Sequence, residues 1–276
     1  MMHDDPLAPD DLSPDTRGPA DRPGRERGEA GMHGVHEPVP PGVARIAVVT
    51  GTRAEFGLLR PVMRAISATP SLQLATVVTG AHFLKPAETW REVKQEFAIA
   101  EIAVMQTPGR TTRLDDAEAT GRGISRLARA FDRLSPAYVV VLGDRIEAFA
   151  AASAAAIGGI PLLHIHGGDR AEGIADESMR HAISKLAHLH AAATPASAER
   201  LIRMGEDPWR VRVVGSPALD GLSDIPPMSD ARARELGNPH AVFLLHPAGL
   251  TPEAESAVAR SALEAVASTM PDRGVL

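Results

Sequence analysis

The sequence predicts an α/β fold, a doubly wound parallel sheet of the Rossmann type, and three observations carry that prediction. Short apolar runs rich in Val, Ile and Leu, such as YVVVL at 138–142 and PLLHI at 161–165, lack polar alternation, as expected of strands buried on both faces. A helical stretch follows almost every such run, and no hairpin turn joins neighbouring runs, so the connections are right-handed crossovers. Each of the two runs above empties into charge: Gly143-Asp144-Arg145 after the first, His166-Gly167-Gly168-Asp169 after the second. Asp, His and Arg side chains therefore gather at the sheet edge where open α/β sheets bind ligands.

In chain order, strands are expected at 46–50, 74–79, 102–105, 138–142, 162–166, 191–194 and 211–214. Helices are expected at 58–68, 89–97, 115–134, 146–156, 176–187 and 196–204. In the Rossmann strand order the first and fourth strands are neighbours where the winding reverses, so the loops at 51–56 and 143–145 face one crevice and Arg53 meets Asp144. After residue 214 the text changes to the Gly/Pro/Ser-rich GSPALDGLSDIPPMS, a domain boundary. A strand at 241–245, a His246-Pro247 turn and a helix capped by Thr251, with Pro252 at its first position, then run to about 269. One strand and one helix cannot bury their own apolar faces, so this stretch reads as the opening of a domain. The predicted organisation is a disordered Pro/Gly/acidic tail at 1–42, a Rossmann-like domain at 43–215, and a linker with the start of an incomplete second domain at 216–276.

Composition narrows the function. With 276 residues, 44% of them hydrophobic, the chain has enough apolar surface for a core. It has no cysteine, so disulfides, thiolate metal sites and a cysteine nucleophile are excluded. Aromatic residues make up 3% and the formal net charge is -6, which argues against base-stacking platforms and against a phosphate-backbone partner. No apolar run reaches the roughly 20 residues of a membrane span, and the N-terminus lacks a signal-peptide core, so neither nucleic acid nor membrane is an expected partner and the cytoplasm is the expected compartment. The tail at 1–42 carries nine acidic against four basic residues and is read as a passive extension or the result of a misplaced start, with Met32 available, in preference to an interaction arm.

Four motifs carry candidate chemistry. Thr50-Gly51-Thr52-Arg53-Ala54-Glu55-Phe56-Gly57 joins a strand to a helix and offers backbone N–H groups and a guanidinium to an anion, but it is neither GxGxxG nor GxxxxGK. Asp144 stands beside Arg145, where an ion pair would keep the carboxylate charged or a substrate could compete for the Arg. Asp169 and Asp176 flank a loop containing Gly173, and Asp176 suits a helix N-cap as well as it suits catalysis. His164 and His166 alternate along a strand and so share a face. With Asp169 or Asp144 they resemble a metal set, but no third ligand stands in context, so hydrogen-bonding roles are preferred and neither metal nor cofactor is expected. Arg180 and His181 lie one turn into the helix from 176, while His188 and His190 are expected to orient the following strand.

Taken together, VVTGTRAEFGLLRPV, VVLGDRIEAFAAASAAA, HIHGGDRAEGIADESMRHAISKLAHLH and VVGSPALD resemble the hydrolysing UDP-N-acetylglucosamine 2-epimerases, the sialic and legionaminic acid precursor enzymes. The resemblance runs in order through about 45–222, and 241–247 is similar to the start of the family's second domain. It implies the N-terminal half of a GT-B fold, two Rossmann-like domains facing a cleft, with an incomplete second one here. It implies elimination of UDP across C1 and C2 of UDP-N-acetylglucosamine, then hydration of the glycal from the opposite face to give free N-acetylmannosamine. Such chemistry needs carboxylates for proton transfer and cations for the departing pyrophosphate. On the family pattern Asp144 and Asp176 fall on catalytic carboxylates, Arg53 and Arg145 on nucleotide-sugar contacts, and His181 and His246 on further substrate contacts.

Two departures modify the expectation. The sialic acid branch has HIEGGE where this chain has HIHGGD, so His166 acts as acid/base or Asp169 takes over. HIHGG forms occur among relatives assigned to bacterial nonulosonic acid synthesis, which favours a surface-sugar pathway with UDP-N-acetylglucosamine or its 2,4-diacetamido-6-deoxy analogue as substrate. Family chains also continue beyond 276 with a Ser-rich loop that grips UDP. Three readings stand: a 2-epimerase, working as a homo-oligomer or with a complementing C-terminal half; a non-catalytic remnant that binds a sugar or a partner; and a GT-B glycosyltransferase. Deleting 1–42 is expected to leave the melting temperature by calorimetry unchanged, and a large drop would show that the tail packs on the folded part.

Overall fold

The computed structural model describes residues 38–170, 175–245, 250–269 and 274–275. The chain divides into two compact units, one ending at Pro217 and one beginning at Ala218. In the first, β1 (Ala44–Thr50), α1 (Arg53–Ala68), β2 (Leu72–Thr79), α2 (Trp90–Glu96), β3 (Ile99–Ala103), α3 (Arg113–Leu134), β4 (Tyr138–Leu142), α4 (Ile146–Ile157), β5 (Leu162–Ile165), α5 (Ala175–Leu186), β6 (Leu189–Ala192), α6 (Pro195–Arg203) and β7 (Val211–Val213) follow one another. The strands form one parallel sheet in the order β3-β2-β1-β4-β5-β6-β7. This is the doubly wound, Rossmann-like arrangement, with the reversal of winding between β1 and β4.

Alternation along each central strand divides the core between the two faces of the sheet. Ala47 and Val49 of β1 with Val139 and Val141 of β4 meet Leu127 and Phe131 of α3, the alanines of α4 and Ile183 of α5. Ile46, Val48, Val140 and Leu142 meet Phe56, Leu59 and Met63 of α1 and Val93 of α2. The alanine run of α4 is buried almost throughout, and small side chains let it wedge between the sheet and α3. A methyl placed on Gly123 of α3 would lie 3.0 Å from the Cβ of Ala150. No space remains there for a longer side chain.

Several elements begin earlier than the sequence suggests. α1 starts at Arg53, not 58, because the Thr52 hydroxyl accepts from the Glu55 N–H and caps it, and Gly57 is carried inside the helix. β3 starts at Ile99, not 102. Glu101, a charge that argues against a buried strand, is held by two 2.7 Å hydrogen bonds from Arg133. β6 covers Leu189–Ala192 instead of 191–194, because Thr194 caps α6 with Pro195 at its first position. His190 is thereby inside the strand, 3.0 Å from Glu206, and His188 Nδ1 accepts the Leu162 N–H at 3.2 Å.

The second unit contains α7 (Asp230–Glu235), β8 (Pro239–Ala241), α8 (Pro252–Thr269) and β9 (Gly274–Val275), with β8 and β9 parallel. The strand expected at 241–245 ends at Ala241. Beyond it Val242 and Leu244 are 80% and 74% exposed, because a parallel strand needs paired neighbours and β9 offers only two residues. Among the described residues no helix is long and apolar enough to cross a membrane. Ala150→Leu is expected to overpack the α3–α4 contact and cost about 3 kcal/mol in urea unfolding.

Candidate functional site

The carboxyl ends of β4 and β5 bring the ionisable loops together. Gly143 leaves β4 at φ +80°, and its carbonyl receives a 2.7 Å hydrogen bond from His164 Nε2. The His164 ring is fully buried, and its Nδ1 lies 3.1 Å from the Ser184 hydroxyl of α5. Burial pulls its pKa down to about 4, so it is a neutral strut joining the β4 loop to α5. One turn before Ser184, Arg180 Nη2 donates to the Asp144 carboxylate. Arg180 is 9% exposed, and its buried Nε and Nη1 have no hydrogen-bond partner among the described residues. A buried guanidinium with two nitrogens unused among the described residues is suited to an anion.

His166 departs from β5 at φ +63°, a left-handed conformation costly for a non-glycine residue. It therefore does not share a face with His164 as strand alternation predicts, and the two imidazoles have separate partners. His166 Nδ1 is 2.6 Å from Asp169 Oδ2, and Nε2 is 3.0 Å from the Ser216 hydroxyl. The other Asp169 oxygen accepts from Ser197 at 2.6 Å. A carboxylate on Nδ1 holds the proton there and leaves Nε2 as the basic nitrogen. Gly168 makes this turn feasible: at φ +77°, a Cβ would lie 2.2 Å from the Ser197 carbonyl oxygen.

Other expected site residues are placed differently. Arg53 does not meet Asp144: helix α1 starts at Arg53 itself, and its exposed guanidinium pairs with Glu92 at 3.2 Å, while Asp144 is taken by Arg180. Arg145 likewise does not pair with Asp144; its side chain is half exposed, and its Nε is 3.5 Å from Glu147. His181 lies 3.7 Å from Glu177, and its buried Nδ1 has no hydrogen-bond partner among the described residues. Asp176 falls in the first turn of α5 and not at its cap, and its side chain lies outside the described residues, as does His246.

Three buried polar residues escaped the sequence reading. His82 bridges the hydroxyls of Thr50 and Thr89 at 3.0 and 2.7 Å, and burial lowers its pKa to about 4. Glu55 accepts the Gly51 N–H at 3.0 Å, and Glu147 is wholly buried 3.4 Å from the Ala81 N–H. Burial first, and the neighbouring Glu147 charge further down, push the Glu55 pKa up to about 8; burial also raises that of Glu147, against the pull of Arg145. Thr52-x-x-Glu55 has the form of a capping box and Glu147 that of a first-turn acid, so both glutamates pass for ordinary helix starts. The available signal was a charge embedded in the apolar run IEAFAAASAAA.

The sheet is doubly wound, and the ends of β4 and β5 with helix α5 carry a buried guanidinium, a carboxylate and an imidazole held at both nitrogens. Residues 64–276 match the family model for UDP-N-acetylglucosamine 2-epimerase, and the chain belongs to that family. It is 41% identical over 182 residues to the UDP-N,N'-diacetylbacillosamine 2-epimerase (hydrolyzing) of Legionella pneumophila, covering 65% of this chain and 48% of the relative. It is 35% identical over 192 residues to a UDP-N-acetylglucosamine 2-epimerase of Neisseria meningitidis, covering 68% and 50%. The chain thus spans about half the length of the curated relatives it matches. Among solved structures, UDP-GlcNAc 2-epimerase from Neisseria meningitidis bound to UDP-GlcNAc superposes with TM-score 0.70 at 22% identity, over 84% of this chain and 64% of that one. The Methanocaldococcus jannaschii enzyme in complex with UDP-GlcNAc and UDP gives 0.69 at 20%, over the same shares. These likenesses establish the GT-B-like fold family.

The Glu55 shift sets a direction for stability. The folded protein holds this proton up to about pH 8, whereas the unfolded chain releases it near the ordinary 4.5, so the stability present at low pH is lost as pH rises through that window. Glu55→Gln has no proton to lose there. Its urea midpoint relative to wild type is expected to climb steadily from about pH 5 to about pH 8, and a pH-independent difference would contradict a buried neutral Glu55.

Proposed function

We propose that this chain carries the carboxylate-bearing half of a hydrolysing UDP-sugar 2-epimerase site. The observation that carries the reading is the Asp144–Arg180 pair after β4, whose guanidinium keeps a buried Nε and Nη1 without a hydrogen-bond partner among the described residues. Arg180, with Arg145 at the surface, would bind the pyrophosphate and stabilise negative charge as the C1–O bond breaks. Asp144, Asp169, Asp176 and His166 are the groups for proton transfer: one removes the C2 proton as UDP leaves, and another returns a proton to C2 from the opposite face as water adds to C1. His166 Nε2 suits such a role because Asp169 fixes its tautomer and stabilises the imidazolium that forms. His181 and His246, and Arg53 from its exposed helix start, are proposed as further substrate contacts. The reaction needs no cofactor.

The 41% identity to a hydrolysing diacetylbacillosamine enzyme favours the 2,4-diacetamido-6-deoxy sugar over UDP-N-acetylglucosamine as substrate, and a place in nonulosonic acid synthesis in the cytoplasm. Residues 43–215 form the catalytic domain in this reading. In this reading 216–276 belong to a second Rossmann-like domain that completes the nucleotide grip.

The test is proton NMR in D2O with each UDP-sugar. Free UDP and a manno product deuterated at C2 are expected; a folded sample that neither turns over nor binds either sugar would overturn the reading. Asp144→Asn is expected to lower UDP release by at least about 100-fold with an unchanged circular dichroism spectrum. His166→Gln is expected to lose a comparable factor, and retention of most activity would remove that imidazole from proton transfer.

A further inference from the structure

Two carboxylic side chains that the proposed chemistry does not use lie beneath the loops that carry it. Glu147, in the first turn of α4, is wholly buried, and its side chain fills the space between the ends of β1 and β2. A methyl on Gly51 would come within 2.4 Å of the Glu147 Cβ, and one on Gly80 within 2.3 Å of its Cγ. Glu147 Oε1 is 3.4 Å from the Ala81 N–H, and Oε2 faces Arg145 Nε at 3.5 Å, an ion-pair contact too long for a well-formed hydrogen bond. Glu55 reaches the same place from α1 and takes the Gly51 N–H, while the Gly51 carbonyl accepts from the His82 N–H at 3.1 Å. The loops after β1, β2 and β4 therefore converge on one side chain.

That placement is costly. A buried carboxylate oxygen without a hydrogen bond loses its hydration with little return, and the Arg145 guanidinium is the nearest charge that offsets it. The attraction works in both directions. Whatever keeps Glu147 charged also holds Arg145, half exposed at the crevice mouth, against the floor of the sheet.

We propose that Glu147 is a positioning residue, which anchors the 143–145 loop to the ends of β1 and β2 and aims the Arg145 guanidinium at the anionic part of the substrate. The anchoring stands on the glycine contacts and the Arg145 ion pair alone. The aim toward a diphosphate rests on the function proposed above.

Glu147→Gln keeps the volume and an acceptor for the Ala81 N–H but removes the charge. Glu147→Ala removes both. Hydrogen–deuterium exchange of the full chain without ligand is expected to quicken about tenfold over 143–146 in Glu147→Gln, with 80–83 unchanged, and over both segments in Glu147→Ala, with β6 and β7 unaffected in either. Unchanged exchange over 143–146 in Glu147→Gln would overturn the anchoring, whether or not the alanine variant folds. With UDP as the probe in calorimetry, Glu147→Gln is expected to weaken binding about tenfold, and in turnover to raise KM with little change in kcat. An equal fall in kcat and kcat/KM would place Glu147 in the chemical step and overturn the positioning role. Wild-type chain that binds no UDP while Glu147→Gln still loosens 143–146 would sink the functional reading and leave the anchoring intact.

Discussion

The parallel pairing of β1 with β4 is the constraint on which the rest depends. It is the point where the winding reverses, so the helices after these two strands, α1 and α4, fall on opposite faces of the sheet and their preceding loops diverge around a crevice. Loops that start about 90 residues apart in sequence are thereby held within one hydrogen-bonded strand spacing of each other at their roots. Glu55 and Glu147 are neighbours only because of it. The Asp144 loop also inherits its position from this pairing, since β4 fixes where Gly143 turns.

Around that crevice the molecule spends apolar burial on holding polar groups still. His164 is neutral and fully buried, and it spans from the Gly143 carbonyl to Ser184 and so sets the distance between the β4 loop and α5. Arg180 is kept out of solvent with only part of its donor capacity used among the described residues. Such arrangements weaken the fold locally, because each unpaired buried donor or acceptor costs on the order of 1–3 kcal/mol. The large α3–α4–sheet core, dense with alanine, is what carries that load. Preorganisation of this kind is useful where negative charge must be met without reorganising water.

The chain belongs to the 2-epimerase family, and at the end of β5 it has His166 where the sequence resemblance implies a glutamate in the sialic acid branch. A left-handed His166 pinned at both nitrogens is a different device from a glutamate in the same place: its proton is set by a partner, Asp169, and its orientation by Ser197 and Ser216 through that partner and directly.

Much of the fold was legible in the sequence by itself. Continuous Val/Ile/Leu runs, alternating helices and the absence of hairpin signals determine a doubly wound parallel sheet, and the Gly-Asp-Arg and His-Gly-Gly-Asp motifs locate its loaded edge, because periodicity and turn chemistry are local properties. The partners were decided by tertiary structure alone. Asp144 beside Arg145 in sequence pairs instead with Arg180, and Arg53 turns to Glu92, because neighbouring side chains at a strand end point apart while distant helices supply the guanidinium that faces the carboxylate. The early start of β3 was hidden by Glu101 until Arg133 came to meet it. Glu55 and Glu147 look like helix-start residues in one dimension; only the pairing of β1 with β4 turns two caps into a buried pair, and burial, which no local pattern encodes, is what changes their chemistry.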